Sequence, residues 1–361
     1  MSPEDVQEEV LAERGPAGVL PCVPKSAGNV CGDFLELKQK CIAFKFGGSS
    51  LLGAQRMLNA AYLVRAASLS SLVVVVVSAM KGVTDRLLAI GRHLEQGNRV
   101  RARNEAESVA ELHFDVLADL QEDELDVTSV PSFDFGSVRH DLHLLTRDLL
   151  HECAASLVPV SPSGVSALHD RLASFGERFS ARLFAAALEK AGVAGVPVAS
   201  SDFIVTCDTF RDAAPDLEET RRRGRSVLFP LLHDGLVPVV TGFLGATCHG
   251  HVTTLGRNSS DFSGAIIAHV VDAAELVIWT DVDGIYTANP HVNREARLLH
   301  ELSYDEAHAL AASGAKVLHA KVLPLAAETE MVVWVRNTFN PAFRGTRIGP
   351  RSSNSSQRGE A

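Results

Sequence analysis

The chain has 361 residues, 46% of them hydrophobic and 22% charged, the composition of an ordinary globular protein with enough length for one large α/β domain or roughly two smaller ones. Its 44 acidic and 34 basic side chains give a formal charge of −10, which argues against a nucleic-acid or anionic-membrane partner. The 6 cysteines are scattered without a CxxC pair, which fits reduced thiols in a cytoplasmic setting better than a disulfide framework or a structural zinc site.

Residues 1–40 begin MSPEDVQEEV, acidic and without an apolar signal core or the look of a transit peptide, and read as a poorly ordered extension. Cys41 to Phe46 then reads as a short buried strand that runs through Lys45 into Gly47, Gly48, Ser49 and Ser50. Two glycines past a strand let backbone N–H groups approach an anion, with Lys45 as a point charge and the serine hydroxyls as donors or as caps for a helix starting near Ala54. A plain tight turn is the competing interpretation, since Gly and Ser are ordinary turn residues.

A helix over Ala54 to Ala67, the strand LVVVVV from Leu72 to Val77, the loop SAMKGVT and a second helix from about Thr84 complete a βαβα start, which implies a parallel sheet. LVVVVV is the longest apolar run and is far too short to span a bilayer. Residues 101–158 are expected to be mostly helical, interrupted by VTSVPSFDFG. A long helix is predicted over Ser163 to Ala191, with Leu168, Leu172, Phe175, Phe179 and Leu183 as its apolar stripe. Glu177 falls nearly opposite that stripe, so periodicity alone makes it a solvated glutamate.

VPVAS at 196–200, SVLFP at 226–230 and LVPVVTGFLGA at 236–246 look like strands. CHGH, Cys248 to His251, reads as a hairpin turn ahead of a metal site, because no matching downstream pair follows it. In TTLGRNSSDFSG, Thr253 to Gly264, either Ser259 or Ser260 is placed to cap a helix. Arg257 then stands just before its N-terminus and Asp261 in its first turn, either as a dipole-matched carboxylate or as part of an anion site. The strand ELVIWT, Glu275 to Thr280, opens into DVDGIYTANP, whose Asp281 and Asp283 suit a turn or a metal-bound phosphate but lack the later ligands of a calcium loop. One helix from Ser303, another through GAKVLHAKVLP ending near Pro324, and a last strand in MVVWVRNTFN follow, and residues 350–361 read as a disordered tail.

Standard nucleotide and hydrolase fingerprints are missing. The dispersed segments KFGGSS, SAMKGVT, SFGE, TTLGRNSSD, WTDVDGIYT, GAKVLH and RNTFNP, in this order over residues 41–349, resemble the aspartate kinases of the amino acid kinase superfamily. The resemblance implies a three-layer α/β/α sandwich around a mostly parallel sheet, with an amino-acid-binding lobe over about 41–245 and an ATP-binding lobe over about 246–349. It implies transfer of the γ-phosphoryl of MgATP to the side-chain carboxylate of L-aspartate, with ATP and Mg²⁺ required and a homodimer plausible. The product, 4-phospho-L-aspartate, would serve lysine and threonine biosynthesis or a specialised pathway.

By the same resemblance Lys45, Gly47, Gly48 and Asp261 would form the catalytic group. Ser78, Thr84, Glu177, Arg257 and Ser260 would hold aspartate, with Glu177 on its ammonium and Arg257 on its α-carboxylate. Ser49, Thr280, Asp281, Tyr286 and Lys316 would line the nucleotide site, and no all-carboxylate metal cage is implied.

Three departures stand out. Asn258 and Ser259 replace family glycines, and Asn289, Pro290 and His291 stand where the family has Asp-Pro-Arg, exchanging an arginine for a residue mostly neutral at pH 7. The paired ACT regulatory domains that usually follow are not in this sequence, so the chain is either a fragment or free of feedback through that module. A sister kinase acting on another substrate and a non-catalytic kinase-like regulatory subunit are the alternatives.

Overall fold

The computed structural model describes residues 39–122, 133–155, 161–288, 293, 295–312 and 318–350. The expectations for residues 1–38, Asn289 to His291, Lys316 and 351–361 therefore lie outside the described residues. In chain order β1 (Cys41–Phe46) leads through a single 3₁₀ turn, Gly48–Leu51, into α1 (Ala54–Ser68), β2 (Leu72–Val77), α2 (Val83–Glu95), α3 (Arg99–Glu122), α4 (Phe135–Ala155) and α5 (Pro162–Lys190). Then come β3 (Gly195–Val198), β4 (Val205–Thr206), α6 (Leu217–His233), β5 (Val237–Thr241), β6 (Leu244–Thr247), β7 (Val252–Thr254) and α7 (Ser260–Val270). The last stretch holds β8 (Glu275–Thr280), β9 (Ile285–Tyr286), β10 (Leu298–Leu299), β11 (Glu301–Leu302), α8 (Tyr304–Ala312), α9 (Val322–Glu328), β12 (Val332–Asn337) and β13 (Thr346–Ile348).

Six-residue runs such as CIAFKF and LVVVVV are apolar on both sides, as strands covered on both faces must be. They sit in an eight-stranded sheet of order β11-β13-β12-β8-β1-β2-β5-β3, parallel throughout except where β13 runs antiparallel to β12. Side-chain alternation feeds two cores. Phe44, Phe46, Val73, Val75, Val77 and Trp279 pack with α1 to α5, while Ala43, Val74, Val76, Leu276, Ile278 and Val333 pack with α6, α7, α8 and α9. The three-layer α/β/α sandwich follows directly. No described helix is long and apolar enough to cross a membrane.

Lys45 shares the strand face of Ala43, so it points toward α7. That helix comes close because its Gly264 has no side chain: a Cβ there would stand 3.2 Å from Lys45 Cβ. Strand β1 lies between β2 and β8, where consecutive connections leave to opposite sides, and the carboxyl ends of strands at such a point form the usual ligand crevice of an open α/β sheet.

Several local expectations need correction. SVLFP is not a strand but the second half of α6. Asp216 caps that helix by accepting from Glu219 N at 3.0 Å, and Glu219 pairs with Arg222 and Arg223 at 2.7 and 2.6 Å, so local helix signals outweigh the β-type composition. The last helix does not end near Pro324. It begins at Val322, with Pro324 in its first turn, where a missing N–H costs nothing. Ser49 and Ser50 do not cap α1, whose N-cap is Gly53; Ser50 is buried and its hydroxyl meets that of Thr338 at 2.7 Å. The CHGH segment is the turn of the antiparallel β6–β7 hairpin.

One buried carboxylate ties the sheet's surroundings together. Asp170 of α5 accepts from Arg211 N at 2.8 Å, Thr254 N at 3.0 Å and Thr254 Oγ1 at 2.8 Å. Burial raises its pKa and these donors oppose the rise. Asp170→Ala leaves all three donors without their acceptor, and a loss of about 2–4 kcal/mol in urea unfolding is expected; a loss within experimental error would show the tie to be redundant.

Candidate active site

The site is built at the carboxyl ends of β1, β2 and β8. Lys45 Nζ lies 2.6 Å from Asp261 Oδ1, with Lys45 buried and Asp261 half-buried in the first turn of α7. The pair joins Lys45 to a residue more than two hundred positions later in the chain. Just past β1, Gly47 donates its N–H to Trp279 O at 3.1 Å, so β1 and β8 are clamped at their ends. That amide is spent inside the protein, and a Cβ on Gly47 would make only ordinary contacts, 3.6 Å from Trp279 O and 3.7 Å from Lys45 Nζ. Gly48 is needed for a different reason, because a Cβ on it would fall 2.5 Å from Ala79 O and 3.0 Å from Lys81 N.

Residues 78–82 form the second wall. Ser78 Oγ donates to Ser260 Oγ at 2.8 Å, linking the end of β2 to the start of α7. Ala79 N donates to Glu177 Oε1 at 3.0 Å. Glu177 is therefore not solvated, as helical periodicity suggested, but 3% exposed. A single-helix projection misses this because α5 is buried along Leu168 to Leu188 except on the face of Arg171, Arg178 and Arg182, and the backbone N–H of Ala79 in the 78–82 loop reaches the side opposite the apolar stripe. The other oxygen, Glu177 Oε2, is buried without a hydrogen-bond partner. Burial pushes this carboxyl up to about 8, opposed by the N–H of Ala79, by Glu177's own backbone and by the Lys45 charge.

Arg257 stands just ahead of α7 and pairs with Asp85 at 3.0 Å; both are exposed. The loop tolerates Asn258 in place of glycine because Asn258 adopts φ 61°, a left-handed conformation that asparagine accepts better than most residues. Ser259 occupies the N-cap position of α7 but caps through its backbone alone, its carbonyl accepting from Ser263 N at 2.9 Å. Thr84, half-buried, is the second residue of α2, beside Asp85.

Of the residues expected to meet nucleotide, Ser49 gives its carbonyl to Arg56 Nη1 at 2.8 Å, and Thr280 Oγ1 donates to Asp281 Oδ1 at 3.3 Å at the end of β8. Tyr286 is in β9, paired with Leu298. Asp283 accepts from Asn337 and Asn340 at 2.9 and 3.1 Å, which makes it a loop anchor. The amide of Ala79, the carbonyl of Trp279 and the Ser50–Thr338 contact were not foreseen. The first two are main-chain groups, which the sequence does not distinguish from any others.

The model of the amino acid kinase family matches residues 40–337. The chain belongs to the amino acid kinase family. Among its relatives are lysine-sensitive aspartokinase 3 of Escherichia coli, 31% identical over 313 residues, and the chloroplastic aspartokinase 1 of Arabidopsis thaliana, 35% identical over 322. Each alignment takes in 87% of this chain, which spans only 65% and 53% of those family members. The crystal structure of E. coli aspartokinase III in complex with aspartate and ADP superposes with a TM-score of 0.74 at 31% identity, covering 87% of this chain and 66% of that one. Aspartate kinase of Clostridium acetobutylicum, at 21% identity and a TM-score of 0.66, shares the family fold.

The raised pKa of Glu177 has a consequence for stability. Between about 4.5 and about 8 the native protein keeps a proton that the unfolded chain has released, so this residue makes stability fall as pH rises through that window. Denaturant titrations of wild type and Glu177→Gln across the window should show the variant gaining relative to wild type as pH increases; a difference independent of pH would mean that Glu177 is ionised throughout.

Proposed function

We propose that the chain is an aspartate kinase, transferring the γ-phosphoryl of ATP to the side-chain carboxylate of L-aspartate to give 4-phospho-L-aspartate and ADP. One observation carries this: Glu177 Oε2 is buried without a partner, and Glu177 is near enough to Lys45, itself paired with Asp261, for the lysine charge to act on it. A buried carboxylate oxygen with no donor is a ready partner for an ammonium group. The E. coli relative solved with aspartate and ADP supports the choice of both substrates.

In this assignment Glu177 takes the ammonium of L-aspartate, Arg257 its α-carboxylate, and Thr84 with the Ser78–Ser260 hydroxyl pair borders the rest. The side-chain carboxylate, with an ordinary pKa of about 3.9, arrives ionised and needs no general base. One of its oxygens attacks the γ-phosphorus, and the bond to the β–γ bridging oxygen breaks with its electron pair leaving on ADP. Two anions must therefore be brought together, which makes alignment and charge neutralisation the main tasks. Lys45 faces the transferring group, and Asp261 holds the ammonium in place. Thr280, Asp281, Tyr286, Ser49 and Lys316 are assigned to the nucleotide side, in a lobe over about 246–349 against an amino-acid lobe over about 41–245. Mg²⁺ would arrive with ATP, bound chiefly by phosphate oxygens and water, and neutralise phosphate charge. A cytoplasmic homodimer serving aspartate-derived amino acid synthesis fits the same assignment.

The test is ATP turnover with L-aspartate in the presence of hydroxylamine, which traps the acyl phosphate as a hydroxamate. Lys45→Ala and Asp261→Ala should each lower kcat by about 10²-fold or more. Arg257→Ala should act mainly on KM for L-aspartate. Aspartate binding by calorimetry without product would instead indicate a kinase-like binding subunit, and absence of binding would redirect the search to other acceptors of the family.

A further inference from the structure

The ion pair between Arg257 and Asp85 joins residues 172 positions apart, linking the loop just ahead of α7 to the first turn of α2. Arg257 is fixed at its base by the left-handed backbone of Asn258 and by the start of α7, while 73% of its side chain is exposed. Its guanidinium has no other ion-pair partner among the described residues. Asp85 sits in the first turn of α2, directly after Thr84. A carboxylate is thus already seated on the group that takes the substrate's α-carboxylate.

Resting on the assignment of Arg257 given above, we propose that Asp85 is a built-in competitor for that arginine, which sets the affinity for L-aspartate without taking part in phosphoryl transfer. The incoming α-carboxylate either displaces Asp85 or shares the guanidinium with it against like-charge repulsion. Both routes cost affinity. The cost is small because the pair is exposed, and an exposed pair of this kind corresponds to about a twofold to fivefold change in an equilibrium constant. It falls on the binding of the acceptor alone, since Lys45 and Asp261 lie deeper and are bonded to each other. Glu177, on the far side of the acceptor, is bonded to Ala79 N and makes no contact with Asp85.

The experiment compares wild type, Asp85→Asn, Asp85→Ser and Asp85→Glu in the hydroxamate assay, with calorimetric binding of L-aspartate and of isoasparagine, in which an amide replaces the α-carboxylate. Both neutral variants should lower KM and Kd for L-aspartate by about twofold to fivefold, while kcat and KM for ATP hold. Asp85→Glu, which keeps the charge, should stay near wild type, and isoasparagine should gain nothing from the neutral variants. An unchanged or raised KM in both neutral variants overturns the proposal, as does an equal gain for isoasparagine. If neither wild type nor any variant binds L-aspartate, the assignment of Arg257 fails and this inference fails with it.

Discussion

Holding an ammonium 2.6 Å from a carboxylate at the end of a buried parallel strand places conditions on everything around it. Lys45 must leave β1 on the α7 side, which the alternation of Ala43, Phe44, Lys45 and Phe46 provides. Helix α7 must start beside that strand end and approach it closely, which Gly264 permits. The strand end must not drift, and the Gly47 N–H to Trp279 carbonyl bond clamps it to β8. A misplaced strand end would leave a largely desolvated lysine without its counter-charge, a far larger penalty than losing an exposed ion pair.

Around this pair the chain gathers polar groups whose cost is met elsewhere in the fold. Glu177 keeps one oxygen on a main-chain amide and leaves the other bare, in surroundings that favour its neutral form. A site with such a group is poised for a ligand that supplies the missing charge. The same approach of two loops that places Ala79 on Glu177 depends on Gly48, where any side chain would collide with the Ala79 carbonyl. The surroundings of Glu177 and the packing of the two loops are therefore not separable here.

Much of the architecture could be read from the residues because its pattern is long or uninterrupted. β1, β2 and β8 are apolar runs with Gly or polar residues just beyond, and their bounds match the expectation. Helix α5 declares itself over eight turns. Short segments were harder: SVLFP carries strand-type side chains, yet its fate is decided upstream by the Asp216 cap and the Glu219 ion pairs. Pro324 reads as a stop in the sequence, although proline is equally at home in a first turn, where the structure has it. Glu177 shows a deeper limit, since periodicity reports where the apolar stripe lies but not what a distant loop lays over the other face. Side chains of the site stood out by their type and position after strands, whereas its main-chain donors and acceptors had no signature.

The division of the sheet's side chains between two cores bears on how sequence change is absorbed. Val74 and Val75 are adjacent in the chain but contribute to opposite cores, while Val74 shares its core with Val333, far away in sequence. Energetic coupling between substitutions follows contact and not chain proximity. Replacements at adjacent strand positions should therefore combine almost independently, each compensated from its own helical layer. The six-residue strands at the centre act as a partition between two populations of residues that can drift separately, joined where polar groups at the strand ends must meet.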